Sequence, residues 1–150
     1  MVPVETLRKL DLFEGLNEIE LNAVTSVADL IDCRKGAAIF SENEEATKLY
    51  VLLDGMVSIN FEVGRHQEVI VHTVKAGEAF GWSALVQPYR FTASAKCMQD
   101  SKVITVDGDN LKKLLKDDCH MGYVIMEKLA ALVSGRLQDT RVQLISAANG

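Results

Sequence analysis

Between about Leu30 and Asp107 the chain is written in short β-branched and aromatic runs separated by glycines, and this punctuation constrains the fold more than any other feature. The runs read "AAIFSENEEATKLYVLLDGMVSINFEVG", "QEVIVHTVKAGEAFG" and "KVITVDG". Gly36, Asp54-Gly55, Gly64, Gly77 and Asp107-Gly108 fall where turns between short antiparallel strands are expected. Strands this short, with turns this frequent, predict a small β-barrel or roll.

Helical patterning replaces this texture at both ends. Val4, Leu7 and Leu10 are spaced three apart, and Asn17-Glu18-Ile19-Glu20 has the form of a capping box opening a helix that carries Leu21, Val24 and Ala28. Beyond the roll, Asp109 is expected to cap "NLKKLLK". A long helix then follows from about His120 to Leu144, where Met126, Leu129, Val133, Leu137, Thr140 and Leu144 recur at three-and-four spacing. About 25 helical residues span roughly 37 Å, more than a small roll can cover. The overhanging stripe predicts a parallel two-fold coiled coil, hence a homodimer, against the alternative of a helix folded back on its own barrel. The small polar residues from Ser146 to Gly150 are expected to fray. Helices confined to the two ends make this an α+β arrangement. The 150 residues form one domain, with N-terminal helices over 1–29, a roll over 30–107 and C-terminal helices over 109–147.

Composition narrows the function. A net charge of -5 at pH 7 argues against a broad nucleic-acid surface but leaves room for a local anion site. The start carries Glu5, Arg8, Lys9 and Asp11 instead of the apolar segment of a signal peptide. No apolar run approaches the ~18 residues of a membrane span. Cys33, Cys97 and Cys119 are odd in number and without a CxxC pair, so buried structural thiols and a cytoplasmic location are expected.

Catalytic and metal chemistry find no support in the pattern. His66, His72 and His120 lack the HxH spacing of a cupin-type metal site. Ser83 in "GWSAL" lacks the GxSxG context of a nucleophile, and His120 directly after Cys119 points about 100° away from it on a helix. The acidic run "SENEEA" reads as a solvated hairpin tip.

One stretch remains unexplained by the fold alone: "FGWSALVQPYRFTASA", Phe80 to Ala95, with the single Trp and an Arg that has no carboxylate neighbour closer in sequence than Glu78 or Asp100. Together with "LFEGL", "KGAAIFSENEEATKLYVLLDGMVSI" and "AGEAFGWSAL", it resembles the cyclic nucleotide-binding domain of Crp and Fnr type regulators and kinase regulatory subunits, over about Leu12 to Leu144. The resemblance implies a double-stranded β-helix, a jelly-roll-like β-roll flanked by N-terminal helices and a long C-terminal helix. It places a phosphate-binding cassette at Phe80 to Ala95. Gly81, Ser83, Ala84 and Leu85 would form a short helix offering backbone N–H groups, Arg90 would be the phosphate counter-ion, and Thr92 and Ala93 would lie on the adjoining strand. The implied ligand is cyclic AMP, cyclic GMP or a related small anion, with no other cofactor, no catalytic residue and no membrane partner.

Two departures from the family pattern stand out. Trp82 occupies the position of a ribose-binding Glu. Counting back from Ala95, Tyr89 stands at the usual Arg position and Arg90 one step later, a shift that reverses the side chain on a strand unless the loop ending in Val86-Gln87-Pro88 re-aims it. Trp82 and Tyr89 therefore either line a pocket for a different planar or anionic ligand, stack on a base, or fill the pocket. Family regulators place a helix-turn-helix after the long helix. With the chain ending at Gly150, a stand-alone sensory or assembly module is expected, acting through its C-terminal helix on an effector or on a second copy, without direct contact to nucleic acid.

Overall fold

The runs "KLYVLLD" and "SKVITVD" are apolar almost throughout because the strands they form, β3 (Lys48–Asp54) and β8 (Ser101–Asp107), are covered on both faces. They pair antiparallel, with Tyr50 opposite Thr105 and Leu52 opposite Val103. Alternation along each strand sends Leu49, Val51, Ile104 and Val106 into one core, shared with the helices, and Tyr50, Leu52 and Val103 into a second core inside the roll. The computed structural model describes residues 2–65 and 67–149.

Six further strands complete the roll: β1 (Ala28–Cys33), β2 (Ala38–Phe40), β4 (Val57–Glu62), β5 (Glu68–Val74), β6 (Ala79–Phe80) and β7 (Ser94–Cys97). They build two antiparallel sheets, ordered β1-β8-β3-β6 and β2-β7-β4-β5. Two facing four-stranded sheets with helices at the ends are the expected α+β roll. Gly36, Gly55, Gly64 and Gly77 all have positive φ, in keeping with turns. Asp107-Gly108 is different, because no hairpin forms there and the chain passes directly from strand into helix.

Before the roll come α1 (Val4–Arg8), a 3-10 turn at Asp11–Phe13 and α2 (Glu18–Thr25). The expected capping box is present: the Glu20 N–H donates to Asn17 Oδ1 at 2.8 Å, and the Asn17 N–H donates to Glu20 Oε1 at 2.9 Å. Leu7, Phe13, Leu21 and Val24 are buried against the helix-facing side of the first sheet. Asn17→Ala is expected to lower stability by about 1 kcal/mol, the usual cost of losing such a cap. A shift of the urea midpoint at unchanged slope would show it.

After the roll come α3 (Gly108–Asp117) and α4 (Cys119–Asn149). The cap of α3 is Asp107, whose carboxylate accepts the Asn110 N–H at 2.9 Å, and not Asp109. Helix α4 runs 31 residues, roughly 46 Å, and includes Ser146 to Asn149, while Gly150 lies outside the described residues. Met121 and Ile125 anchor it in the helix-side core, and Leu129 is buried one turn farther along. Leu129 is only 3% exposed, which removes it from the predicted dimer stripe. Met126, Val133, Leu137 and Leu144 remain exposed on α4, as do Val142 and Ile145. Thr140 turns its hydroxyl back to the Arg136 carbonyl. Farther along, Gln143 donates to the Val71 carbonyl on β5 at 2.8 Å, so one side of the helix keeps contact with its own roll.

The thiols do not share one environment. Cys97 is buried, and burial pushes its thiol up to about 11. Cys33 is half-buried, and Cys119 is exposed at the start of α4, contrary to the expectation of three buried thiols. No helix among the described residues is long and apolar enough to cross a membrane.

Candidate functional site

The cassette begins where β6 ends. Gly81 takes a left-handed φ of 67°, and a Cβ there would lie 2.7 Å from the Tyr50 ring and 2.9 Å from the Phe40 ring, so only glycine turns the chain at this place. A 3-10 turn, Trp82–Leu85, follows. Its Ala84 is pressed beneath Gly108, where a Cβ would come within 2.9 Å of both the Ala84 Cβ and the Thr47 carbonyl. The turn is thereby wedged between the roll and the first residue of α3.

Gln87–Pro88 is cis, and Tyr89 has a positive φ of 60°. The next residues are pinned to the acidic hairpin tip by backbone bonds: the Ala46 N–H donates to the Tyr89 carbonyl at 2.7 Å, and the Phe91 N–H donates to the Glu44 carbonyl at 3.0 Å. In this register Phe91 points into the roll and Arg90 points out. The Arg90 guanidinium lies exposed and donates to the Asn43 carbonyl at 2.8 Å. Tyr89 also leaves the cassette interior, lying beneath the Lys112 ammonium, 4.0 Å from the ring centroid, in a groove with Leu85 and Leu115.

The cavity at the cassette is lined by Phe40, Ile59, Phe80, Gly81, Trp82, Ser83, Phe91, Thr92, Ala93 and Arg136. Of the residues expected at the site, Phe80, Gly81, Trp82, Ser83, Thr92 and Ala93 meet there, whereas Ala84, Leu85, Tyr89 and Arg90 do not. The volume is about 70 Å³, well below the ~300 Å³ at which small-molecule pockets begin. Aromatic packing accounts for the small space: Phe40 stacks on Phe91 with centroids 3.8 Å apart and planes at 10°, and Tyr50 and Phe80 complete the cluster.

Arg136 is the cation that the sequence reading missed. It projects from α4 with its side chain 17% exposed, stands 5.3 Å from the centre of the Trp82 ring, and approaches Glu78 Oε2 at 3.4 Å. Glu78 also accepts the Lys75 N–H at 3.1 Å through Oε1 and meets His72 Nε2 at 3.2 Å through Oε2. Burial draws the Arg136 pKa below its ordinary value, while Glu78 and Asp139 oppose that shift. On the other side of the guanidinium a cleft of about 360 Å³ runs along α4 between Leu12, His72, Glu78, Lys128, Ala131 and Gly135. Arg136 walls both spaces. Its position among charged residues off the apolar stripe gave no direct sign of this role; the small residues Ala131 and Gly135 on the same side were the available hint of close approach.

His72 lies half-buried on β5 and meets Glu78, and His66 lies outside the described residues.

The family model described as "Cyclic nucleotide-binding domain" matches residues 30–118, more than half of the chain. The chain belongs to the cyclic nucleotide-binding domain family. A CRP-like cAMP-activated global transcriptional regulator of Mycobacterium tuberculosis is 24% identical over 140 residues, which cover 93% of this chain and 61% of the regulator. The chain therefore spans less than two thirds of the curated relatives it matches. A crystal structure named as a candidate cyclic nucleotide-binding protein of Geobacter metallireducens is 30% identical, with a TM-score of 0.82, covering 91% of this chain and 99% of that one. The regulatory domain of Toxoplasma gondii PKA, solved with cAMP, shares the fold at 23% identity and a TM-score of 0.68, covering 76% of this chain and 43% of that one. The cyclic nucleotide-binding domain family is one of regulators, and the matched residues, 30–118, take in most of the roll, the Trp82–Leu85 turn and α3.

Proposed function

We propose that this chain is a non-catalytic, cytoplasmic sensory module that binds a cyclic nucleotide or a related small anion at the cassette and reports through α4. The observation that carries the reading is Arg136, a half-buried cation borne by α4 and shared between the cassette cavity and the larger cleft. An anionic ligand takes the place of Glu78 on the guanidinium and joins the two spaces. The helix responds because the ligand binds one pose of α4 better than another. The exposed apolar residues of α4, with Leu129 excluded, are the surface for a second copy.

Titration calorimetry with cyclic AMP, cyclic GMP and a cyclic dinucleotide tests the reading. One of them is expected to bind saturably. Arg136→Ala is expected to weaken that complex by more than the tenfold that about 1.4 kcal/mol represents. Arg90→Ala is expected to leave it intact. Loss of binding in Arg90→Ala with retention in Arg136→Ala reverses the assignment.

A second reading has its own support: the Phe40–Phe91 stack and the 70 Å³ cavity describe a pocket filled by the protein itself. On that reading the domain is an interaction and dimerisation module, and none of the three ligands produces heat or thermal stabilisation.

A further inference from the structure

Away from the cassette, the joint between α2 and α4 brings together one imidazole and two carboxylates. Glu20 comes from α2 and keeps a side chain only 3% exposed. Its Oε1 accepts the Asn17 N–H at 2.9 Å in the capping box, which leaves Oε2 free for another partner. That partner is His120, whose Nδ1 lies 2.9 Å from Oε2 and 3.0 Å from Oε1. Asp118, at the N-terminus of α4, uses Oδ1 to accept the Met121 N–H at 3.1 Å. One donor atom from each of Glu20, Asp118 and His120 lies within 4.8 Å of the others, the one such group found among the described residues.

We propose that Glu20, Asp118 and His120 form a site for a divalent transition ion of the Zn²⁺ class, which clamps α2 to the root of α4. A buried carboxylate facing a second carboxylate requires a counter-charge, and a single imidazole supplies at most one. A divalent ion neutralises both carboxylates. One nitrogen and two carboxylate oxygens suit Zn²⁺ and its first-row neighbours better than the all-oxygen preference of Ca²⁺ or Mg²⁺. Tetrahedral donors around Zn²⁺ stand about 3.3 Å apart at bond lengths near 2.0–2.1 Å, so closing the present group requires movements on the order of 1 Å. Glu20 is held by its cap, and the adjustment falls to Asp118 and His120. The His120 side chain is 58% exposed, which opens a path for the ion and a place for water as a fourth ligand. On binding, the metal–Nδ1 bond forms and any proton held between His120 and Glu20 leaves to solvent.

The clamp is independent of whether the cassette takes a nucleotide. The test uses the full chain, stripped of metal and kept reduced, titrated with Co²⁺ and then with competing Zn²⁺. One equivalent of Co²⁺ is expected to develop visible absorption without a sulfur charge-transfer band, and Zn²⁺ is expected to displace it and raise the melting temperature. Asp118→Asn and His120→Gln are each expected to weaken the affinity more than tenfold and to remove that rise, while Cys119→Ser retains both. His120→Gln carries the test alone if circular dichroism shows that Asp118→Asn has frayed α4. No saturable binding to the native chain overturns the proposal. So does unchanged affinity in His120→Gln, or a sulfur charge-transfer band that disappears in Cys119→Ser.

Discussion

Leu129→Glu is expected to unfold the domain, whereas Leu137→Glu, eight residues farther along α4, is expected to leave the fold intact and to weaken the self-association proposed for this helix. The difference follows from where each side chain lies. Leu129 is buried, at 3% exposure, and Leu137 is 62% exposed. Removing a buried leucine costs about 2–5 kcal/mol, and a carboxylate in its place adds the penalty of desolvating a charge. That sum is comparable to the whole stability of an ordinary domain, about 5–15 kcal/mol. At Leu137 the new carboxylate remains in water in the monomer and meets apolar surface only where a second copy packs. Thermal melts and sedimentation equilibrium on both variants separate the effects. A normal melt for Leu129→Glu would remove Leu129 from the core, and an undiminished mass for Leu137→Glu would remove this face of α4 from any dimer.

Phe91→Ala is expected to cost about 3–5 kcal/mol, the range for deleting a buried aromatic side chain. Phe91 is 4% exposed and stacked on Phe40, so the loss includes the contact between the rings as well as the apolar area. The same deletion enlarges the cassette cavity, which both rings line. Denaturant unfolding measures the cost, and calorimetry on the folded variant shows which reading of the pocket holds. Nucleotide binding that is present in the native chain and weakened in Phe91→Ala means the ring contributes to the ligand site. Binding that emerges only in Phe91→Ala means the ring occupies the ligand's space. A loss well under 1 kcal/mol would mean that the roll collapses around the vacancy or that the stack is not maintained in solution.

The segment "PYRFTASA" contributes Phe91, Thr92 and Ala93 to the cassette cavity, and its one-residue shift already warns that Arg90 faces the other way. What settles its direction is the register against Asn43 to Ala46, through backbone bonds across more than forty residues. Asp107-Gly108 has the composition of a hairpin turn, yet Gly108 is needed for a different reason: Thr47 and Ala84 leave no room for a side chain at the start of α3.

By itself the sequence determined the order of helices, roll and helices, most of the glycine turns and the capping box at Asn17. These properties arise from interactions between near neighbours, or from periodicities of two and 3.6 residues, which are written directly into the order of side chains. Only the tertiary structure decided that Leu129 faces the core and that Arg136, not Arg90, stands at the cassette. It alone brought Glu78 to Arg136 across 58 positions and Glu20 to His120 across 100. Such pairings depend on how a long helix is rotated against a roll, and that rotation is set by the summed packing of residues such as Met121 and Ile125 against distant ones, a quantity no local pattern contains.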